Sequence, residues 1–382
     1  MDAEKAKVLF DEGGTLVFLN VPEGTEFGID YNSWTVGPNF RGVKMIPPGV
    51  HFIYYSAVNS DQQTAPRTGF FHNFEQKEIL VKEWDAYMED IKDSSADAST
   101  VERVLINKQE MDRFLGHYPY ENYKKWVSLT NYITPGLAQS LQPVNGKICS
   151  VTEFVSKCST SQSRKQEAEA ELRKPARMED GEGSTASSKL ADMEKRLPKM
   201  ETVPGTEIRF NQIPKIKYPP GSSPKDMTKY SLDSSYALKA MLQSCYKKPD
   251  QMLGILGEIQ FSFVCFIVGQ VYDAFEHWKR LVHLLCSCEE ALSSDTDLFM
   301  KFISLMHFQL REIPEDFFVD IVSSNNFLTN TLHEFFSNVK HSSASDALKK
   351  RTEEFCKNLT KKYNWDFETE PDDLAPVVVD LN

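Results

Sequence analysis

Positive charge is scarce relative to negative in this chain of 382 residues: 43 Lys and Arg against 55 Asp and Glu leave a formal net charge of -12. A chain this acidic, with no strongly basic segment, is poorly suited to gripping nucleic acid or an anionic bilayer through bulk charge. Proteins are the expected partners, with no direct membrane contact and RNA contact at most indirect or local. A long apolar run is also missing. The most apolar stretch, Met252 to Val268, is interrupted by Glu258, Gln260 and two glycines. It falls short of the ~20 apolar residues a membrane span needs and reads as a buried helix. The first residues, with Asp2, Glu4, Lys5 and Lys7, lack the three-part form of a secretory signal, so export is not expected, and cytoplasm and nucleus are the expected location.

Cysteine is sparse and odd in number. The seven stand singly, as Cys149, Cys158, Cys245, Cys265 and Cys356, apart from Cys286 and Cys288, a pattern of reduced core thiols rather than a disulfide framework. The nearest approach to a metal set is His283, Cys286 and Cys288. Within one helix, residues two apart point about 200° from each other, so the two thiols cannot share an ion. No metal or cofactor is expected. His333-Glu334 has no second histidine of a zinc peptidase, and no nucleophile elbow, phosphate loop or dinucleotide fingerprint occurs. Glu315 and Asp316 follow Pro314 at an expected helix start, where acidic residues answer the helix dipole. No catalytic residues are assigned, and the chain is read as a non-enzyme.

Phe, Tyr and Trp, 12% of the whole chain, are absent from Val155 to Arg209. A stretch without large side chains cannot offset its ordering entropy, so 155–209 is read as a low-complexity linker. Its serines Ser159, Ser161 and Ser163, beside Arg164 and Lys165, are candidate phosphorylation sites, although serine is also ordinary solubilising composition.

What is present lies on either side. Residues 1–154 begin with about six short runs, Thr15 to Asn20, Phe27 to Val36, Arg41 to Ile46, Val50 to Tyr55, Gly69 to Phe74 and Ile79 to Trp84, punctuated by Pro-Glu-Gly, Gly-Pro and Pro-Pro-Gly. Short strands at roughly ten-residue spacing favour an antiparallel β-sandwich-like domain. Helical periodicity over Thr100 to Leu115 and Tyr123 to Ile133 adds helices to it. Residues 210–365 are nearly all helix: one through Cys245 capped by Asp233 or Ser234, the buried one, an amphipathic one from Val271 with Phe275, Trp278, Leu281, Val282 and Leu285 on one stripe, then four more to Tyr363. This predicts a bundle or short superhelix. The last helix is crowded with Lys349, Lys350, Arg351, Lys357, Lys361 and Lys362, interleaved with Glu353 and Glu354, either an ion-paired face or a surface for an acidic partner.

The tail, 366–382, has six acidic residues, no basic one, and ends in Val377-Val378-Val379-Asp380-Leu381. Successive β-branched residues in an otherwise disorder-like tail form a strand without a partner in the sequence. It can pair with another protein's sheet edge or with the chain's own sandwich. By segment, the net charge is -7 for 1–154, +1 for the linker, 0 for 210–365 and -6 for the tail, so half of the acidity sits at the end of the chain.

The run FGIDYNSWTVGPNFRGVKMIPPGVHFIYYS (Phe27 to Ser56), then RTGFF (Arg67 to Phe71), YPYENYKKWVSLTNYI (Tyr118 to Ile133), GTEIRF (Gly205 to Phe210), YDAFEHWKRLV (Tyr272 to Val282), EIPEDFFVDIV (Glu312 to Val322) and APVVV (Ala375 to Val379) resemble the Aar-two splicing-factor family. Only Ser156 to Val203 shows no family pattern. The resemblance implies an N-terminal β-sandwich-type domain and a C-terminal VHS-like helical domain. It further implies a non-enzymatic assembly factor for the U-five small nuclear ribonucleoprotein. Such a factor is a monomer within a hetero-complex. It binds the scaffold protein Prp-eight through the scaffold's RNase-H-like and Jab/MPN domains, alongside other U-five proteins, and blocks premature binding of the helicase Brr-two. In that family the tail adds a strand to the partner, which would give Val377, Val378, Val379, Asp380 and Leu381 that role. VHS-like domains also serve as trafficking adaptors, the alternative expectation.

Overall fold

The computed structural model describes residues 3–58, 63–92, 98–152, 154–156, 200–216, 218–246, 253–313 and 327–368. An N-terminal β-sheet domain is followed by a helical region. After α1 (Ala3–Glu12) come β1 (Gly14–Leu19), β2 (Glu26–Ile29), β3 (Asn32–Thr35), β4 (Gly42–Ile46), β5 (Gly49–Ser56), β6 (Thr68–Phe74), β7 (Ile79–Asp85) and β8 (Asp90–Ile91). Then follow α2 (Ala98–Ile106), α3 (Lys108–Met111), β9 (Leu115–His117), α4 (Tyr123–Thr130), α5 (Pro135–Leu141) and β10 (Ile148–Cys149).

The strands form two five-stranded sheets, ordered β8-β7-β1-β4-β9 and β10-β6-β5-β2-β3. The second is antiparallel throughout. The first is mixed, because β1 runs parallel to β7 and β4 parallel to β9. Both parallel pairs join strands far apart in sequence, and such pairs need a crossover rather than a turn, so turn spacing could not reveal them.

Period-two alternation sorts the side chains. On β5, Ile53 and Tyr55 join Leu16, Phe18, Phe27, Val43, Phe74 and Trp84 between the sheets. Phe52 and Tyr54 face the other way, onto Trp126, Ile133, Leu141 and the helix residues Phe261 and Val264. The outer face of the first sheet, Val17 and Val81, packs on Val104 of α2. Gly42 has φ +136, and a Cβ there would lie 1.9 Å from the Leu16 carbonyl oxygen, so only glycine lets β1 and β4 close.

The helical region comprises α6 (Pro224–Leu232), α7 (Ser235–Cys245), α8 (Gly254–Ile267), α9 (Tyr272–Cys286), α10 (Ala291–Ser294), α11 (Thr296–Glu312), α12 (Phe327–His341) and α13 (Asp346–Tyr363). Ser223 and Asp226 form a reciprocal capping box at α6, Ser345 caps α13, and Asn364 ends α13 in the left-handed region at φ 56. The stripe of α9, Phe275, Trp278, Leu281, Val282 and Leu285, is buried in the helical core where α9 packs on α7, α8 and α12, and Trp278 Nε1 donates to Gln309 of α11 at 2.9 Å.

The apolar stretch is α8, buried without interruption from Ile255 to Cys265. A helix apolar on all sides must be surrounded. Ile255, Leu256, Ile259 and Phe263 enter the helical core, whereas Phe261, Val264 and Cys265 enter the layer shared with the second sheet. No helix among the described residues is long and apolar enough to cross a membrane.

Candidate docking surface

Both sheets end at the same side of the sandwich. The outer strands there are β3 and β9, and a cleft of about 460 Å³ between them is lined by Asn32, Trp34, His117, Tyr118, Pro119, Tyr120 and Glu121. Ser33, Trp34 and Thr35 of β3 are exposed, Trp34 at 40%. An edge strand offers unpaired backbone groups on its free side. This one has no lysine, proline or bulge to block it.

The edge exists because the chain reverses at Asp30, a residue with φ 55. The expected single run Phe27 to Val36 is therefore a hairpin, β2 paired to β3 from Glu26↔Thr35 to Ile29↔Asn32. Asp and Asn in Ile29-Asp30-Tyr31-Asn32 are hairpin-turn residues, a signal masked by the apolar residues around them. The Asp30 carboxylate fixes the turn. It accepts from the Phe52 amide at 3.0 Å and the Tyr118 hydroxyl at 2.6 Å, and lies 2.7 Å from His51 Nδ1. His51 Nε2 lies 2.8 Å from the Pro47 carbonyl oxygen. Burial first, and then the Asp30 charge, push the Tyr118 phenol far up, so it stays a donor. Asp30, His51 and Tyr118 are all buried; His51 and Tyr118 both bond to Asp30, so the trio braces the part of the cleft wall that Tyr118 lines.

The helical region is locked to the sandwich by polar contacts around α8. Gln260 Oε1 accepts from the Tyr132 amide at 2.8 Å and its Nε2 donates to Asn131 Oδ1 at 2.8 Å. Arg67 donates to the Val268 carbonyl at 2.7 Å and pairs with Glu26 at 2.8 Å. Phe71 of β6 stacks on Phe261, centroids 4.6 Å apart. The strand pair β11 (Phe154–Ser156) and β12 (Met200–Thr202) is antiparallel, and the chain after it crosses between the halves. Arg209 donates to the carbonyls of Gln139 and Gln142, both at 2.6 Å. Phe210 stacks on His277 at 4.2 Å. Asn211 donates to Glu258 through its amide at 2.9 Å and its side chain at 2.6 Å. Glu258, fully buried, also accepts from the Tyr246 hydroxyl and from His277 Nε2 at 2.8 Å.

The two family models that match are the AAR2 N-terminal domain, over residues 12–143, and the AAR2 C-terminal repeat region, over residues 210–368. A human protein named Protein AAR2 homolog is 46% identical over 383 aligned residues, covering 100% of this chain and 97% of the relative. The chain belongs to the AAR2 family. The mouse Protein AAR2 homolog has the same identity and coverage. The Caenorhabditis elegans one is 41% identical over 362 residues, 94% of this chain and 96% of its own length. Neither model extends into 144–209, the region that includes the aromatic-free stretch.

Placed on this AAR2 framework, the motifs carrying the resemblance converge. The hairpin of Phe27 to Val36 and the run Tyr118 to Ile133 build the cleft and its floor, and Gly205 to Phe210 leads into the Glu258 lock. The tail-strand candidates Val377, Val378, Val379, Asp380 and Leu381, and the serines Ser159, Ser161 and Ser163, lie outside the described residues, as do Glu315 and Asp316. The thiols of Cys286 and Cys288 both enter the core, because α9 ends at Cys286 and Ser287 turns the chain back. The 200° separation applied only inside a helix. Cys288 Sγ donates to the Leu284 carbonyl at 3.1 Å, and burial pushes both thiols up. His283 stays at the surface, 3.9 Å from Glu334. Among the described residues no group of three or more His, Cys, Asp or Glu could hold a metal ion.

Proposed function

We propose that this AAR2-family chain is a non-enzymatic pre-mRNA splicing assembly factor that acts in the cytoplasm and nucleus. It binds the Prp-eight scaffold protein, through the scaffold's RNase-H-like and Jab/MPN domains, during U-five snRNP assembly. While bound it blocks premature loading of the Brr-two helicase. The observation that carries this reading is end-to-end similarity: the alignment with the human AAR2 homolog spans all of this chain and almost all of the relative, tail included. The buried Asp, His and Glu groups support a binding role rather than catalysis, since each is consumed by internal hydrogen bonds.

In this account the tail residues Val377 to Leu381 pair as an added strand with a sheet of the scaffold, backbone hydrogen bonds supplying affinity and the valines the fit. The open β3 edge and its Trp34 cleft form a second contact on the globular body. Charge added at Ser159, Ser161, Ser163 or in the tail lowers the affinity and permits release. The test is a chain lacking Ala375 to Asn382, titrated against a scaffold fragment carrying both domains. Weakened binding by about tenfold or more, with an unchanged melting temperature, is the expected result. Equal affinity for the truncated and full chains removes the tail strand from the account.

A further inference from the structure

Two adjoining clefts of about 270 and 450 Å³ run between α11 and α13. They share His307 and Asn358, and they are lined by the cations Arg311, Arg351, Lys361 and Lys362 against a single carboxylate, Glu354. All four cations are exposed. Among the described residues none of them forms an ion pair, whereas on the same helix Lys357 is held by Glu353 at 2.5 Å. Arg351 is steered into the groove by a hydrogen bond to Ser304 at 3.0 Å, and Lys362 lies over the Tyr363 ring, 4.6 Å from its centroid. Phe308, 37% exposed, and Ile303 supply an apolar wall. The positive field is registered by His307, whose pKa is lowered by burial and then by Arg311, Lys362 and Arg351.

We infer that the groove between α11 and α13 is a docking site for an acidic peptide segment of a partner protein. Charge complementarity selects the occupant: several convergent cations answered by one carboxylate hold three or four acidic side chains along an extended segment, and Phe308 takes an apolar residue between them. A nucleic acid is disfavoured by the rest of the molecule, since a uniform polyanion reaching past the groove meets a chain of net charge -12. The chain's own acidic tail is directed elsewhere at its start, because Phe367 packs edge-on against Phe336 of α12, centroids 4.9 Å apart. The inference is independent of the tail-strand reading.

The test is fluorescence anisotropy of the full chain with a labelled ten-residue peptide of alternating Glu, Asp and one Phe, beside a labelled ten-nucleotide uridine RNA. The groove variant R311A/K361A/K362A is compared with K349A/K350A, which sits on the same helix outside the groove. The peptide is expected to bind the parent, to weaken about tenfold or more in the groove variant, and to weaken with added salt. K349A/K350A should bind like the parent. Peptide binding that is absent, or equal in parent and groove variant, overturns the assignment. RNA binding tighter than peptide binding, and lost in the groove variant, overturns it in favour of nucleic acid. Peptide binding that appears only after residues 369–382 are removed makes the tail the occupant and overturns the assignment to a partner.

Discussion

Glu258 has no exposed surface and yet carries a carboxylate, a placement that costs heavily unless every oxygen is satisfied. Asn211, Tyr246 and His277 satisfy it, and burial and the Glu258 charge hold the Tyr246 phenol up as a donor. Replacing Glu258 by Ala strands three polar partners in the core. A loss of about 3–5 kcal/mol on chemical denaturation is expected, and a loss under about 1 kcal/mol would deny the lock. Asp233 is a milder anchor at the surface. Its burial alone would raise its pKa, but hydrogen bonds from the Ser235 hydroxyl and from the amides of Glu289, Ser235 and Glu290 outweigh that and set it below 3.8. A depressed folded pKa gives stability that is present above the unfolded value and lost as pH falls through the folded one. The D233N variant, which keeps the acceptor but removes its charge, should therefore be less stable than the parent by about 1 kcal/mol at pH 7, with the gap closing below about pH 4, as read by urea midpoints. A gap independent of pH would show that charge plays no part.

At the scale of elements, α8 explains how the halves adhere. Its glycine at 257 lies so close to α4's end that a Cβ would meet the Tyr132 carbonyl oxygen at 2.3 Å, so backbone contact replaces side-chain contact at that point. The stem of β11 and β12 sets Ser156 and Met200 side by side. A protease site engineered between residues 165 and 190, once cut, should leave both fragments co-eluting at the parent size on gel filtration. Separation of the fragments without denaturant would contradict the shared core. Much of this was legible beforehand. The stripe of α9, the buried character of α8 and the two-faced β5 follow directly from periodicity. The β2–β3 reversal at Asp30 was not legible, because apolar residues on both sides imitate one longer strand. The parallel pairs β1–β7 and β4–β9 were not legible either, since register between distant strands is set by tertiary packing. Nor could the basic crowd of α13 be sorted by sequence into the paired Lys357 and the groove-lining Arg351, Lys361 and Lys362. That division depends on where α11 lies.

The whole molecule combines a rigid body with charge concentrated away from its helical region. Residues 210–365 are neutral overall, while the tail alone carries -6. Two globular halves fused through α8 cannot reorient independently, so a partner meets one fixed surface, with the β3 edge and the groove of α11 and α13 as its open features. Under the proposed function, the body acts by occupying a site that the helicase needs, with its effect set by relative affinities. The most direct measurement is therefore a competition. The scaffold fragment carrying the RNase-H-like and Jab/MPN domains is immobilised, helicase is supplied at a fixed concentration, and this chain is titrated in. The account predicts that bound helicase falls in step with binding of the chain. Undiminished helicase binding on a scaffold saturated with this chain would contradict it.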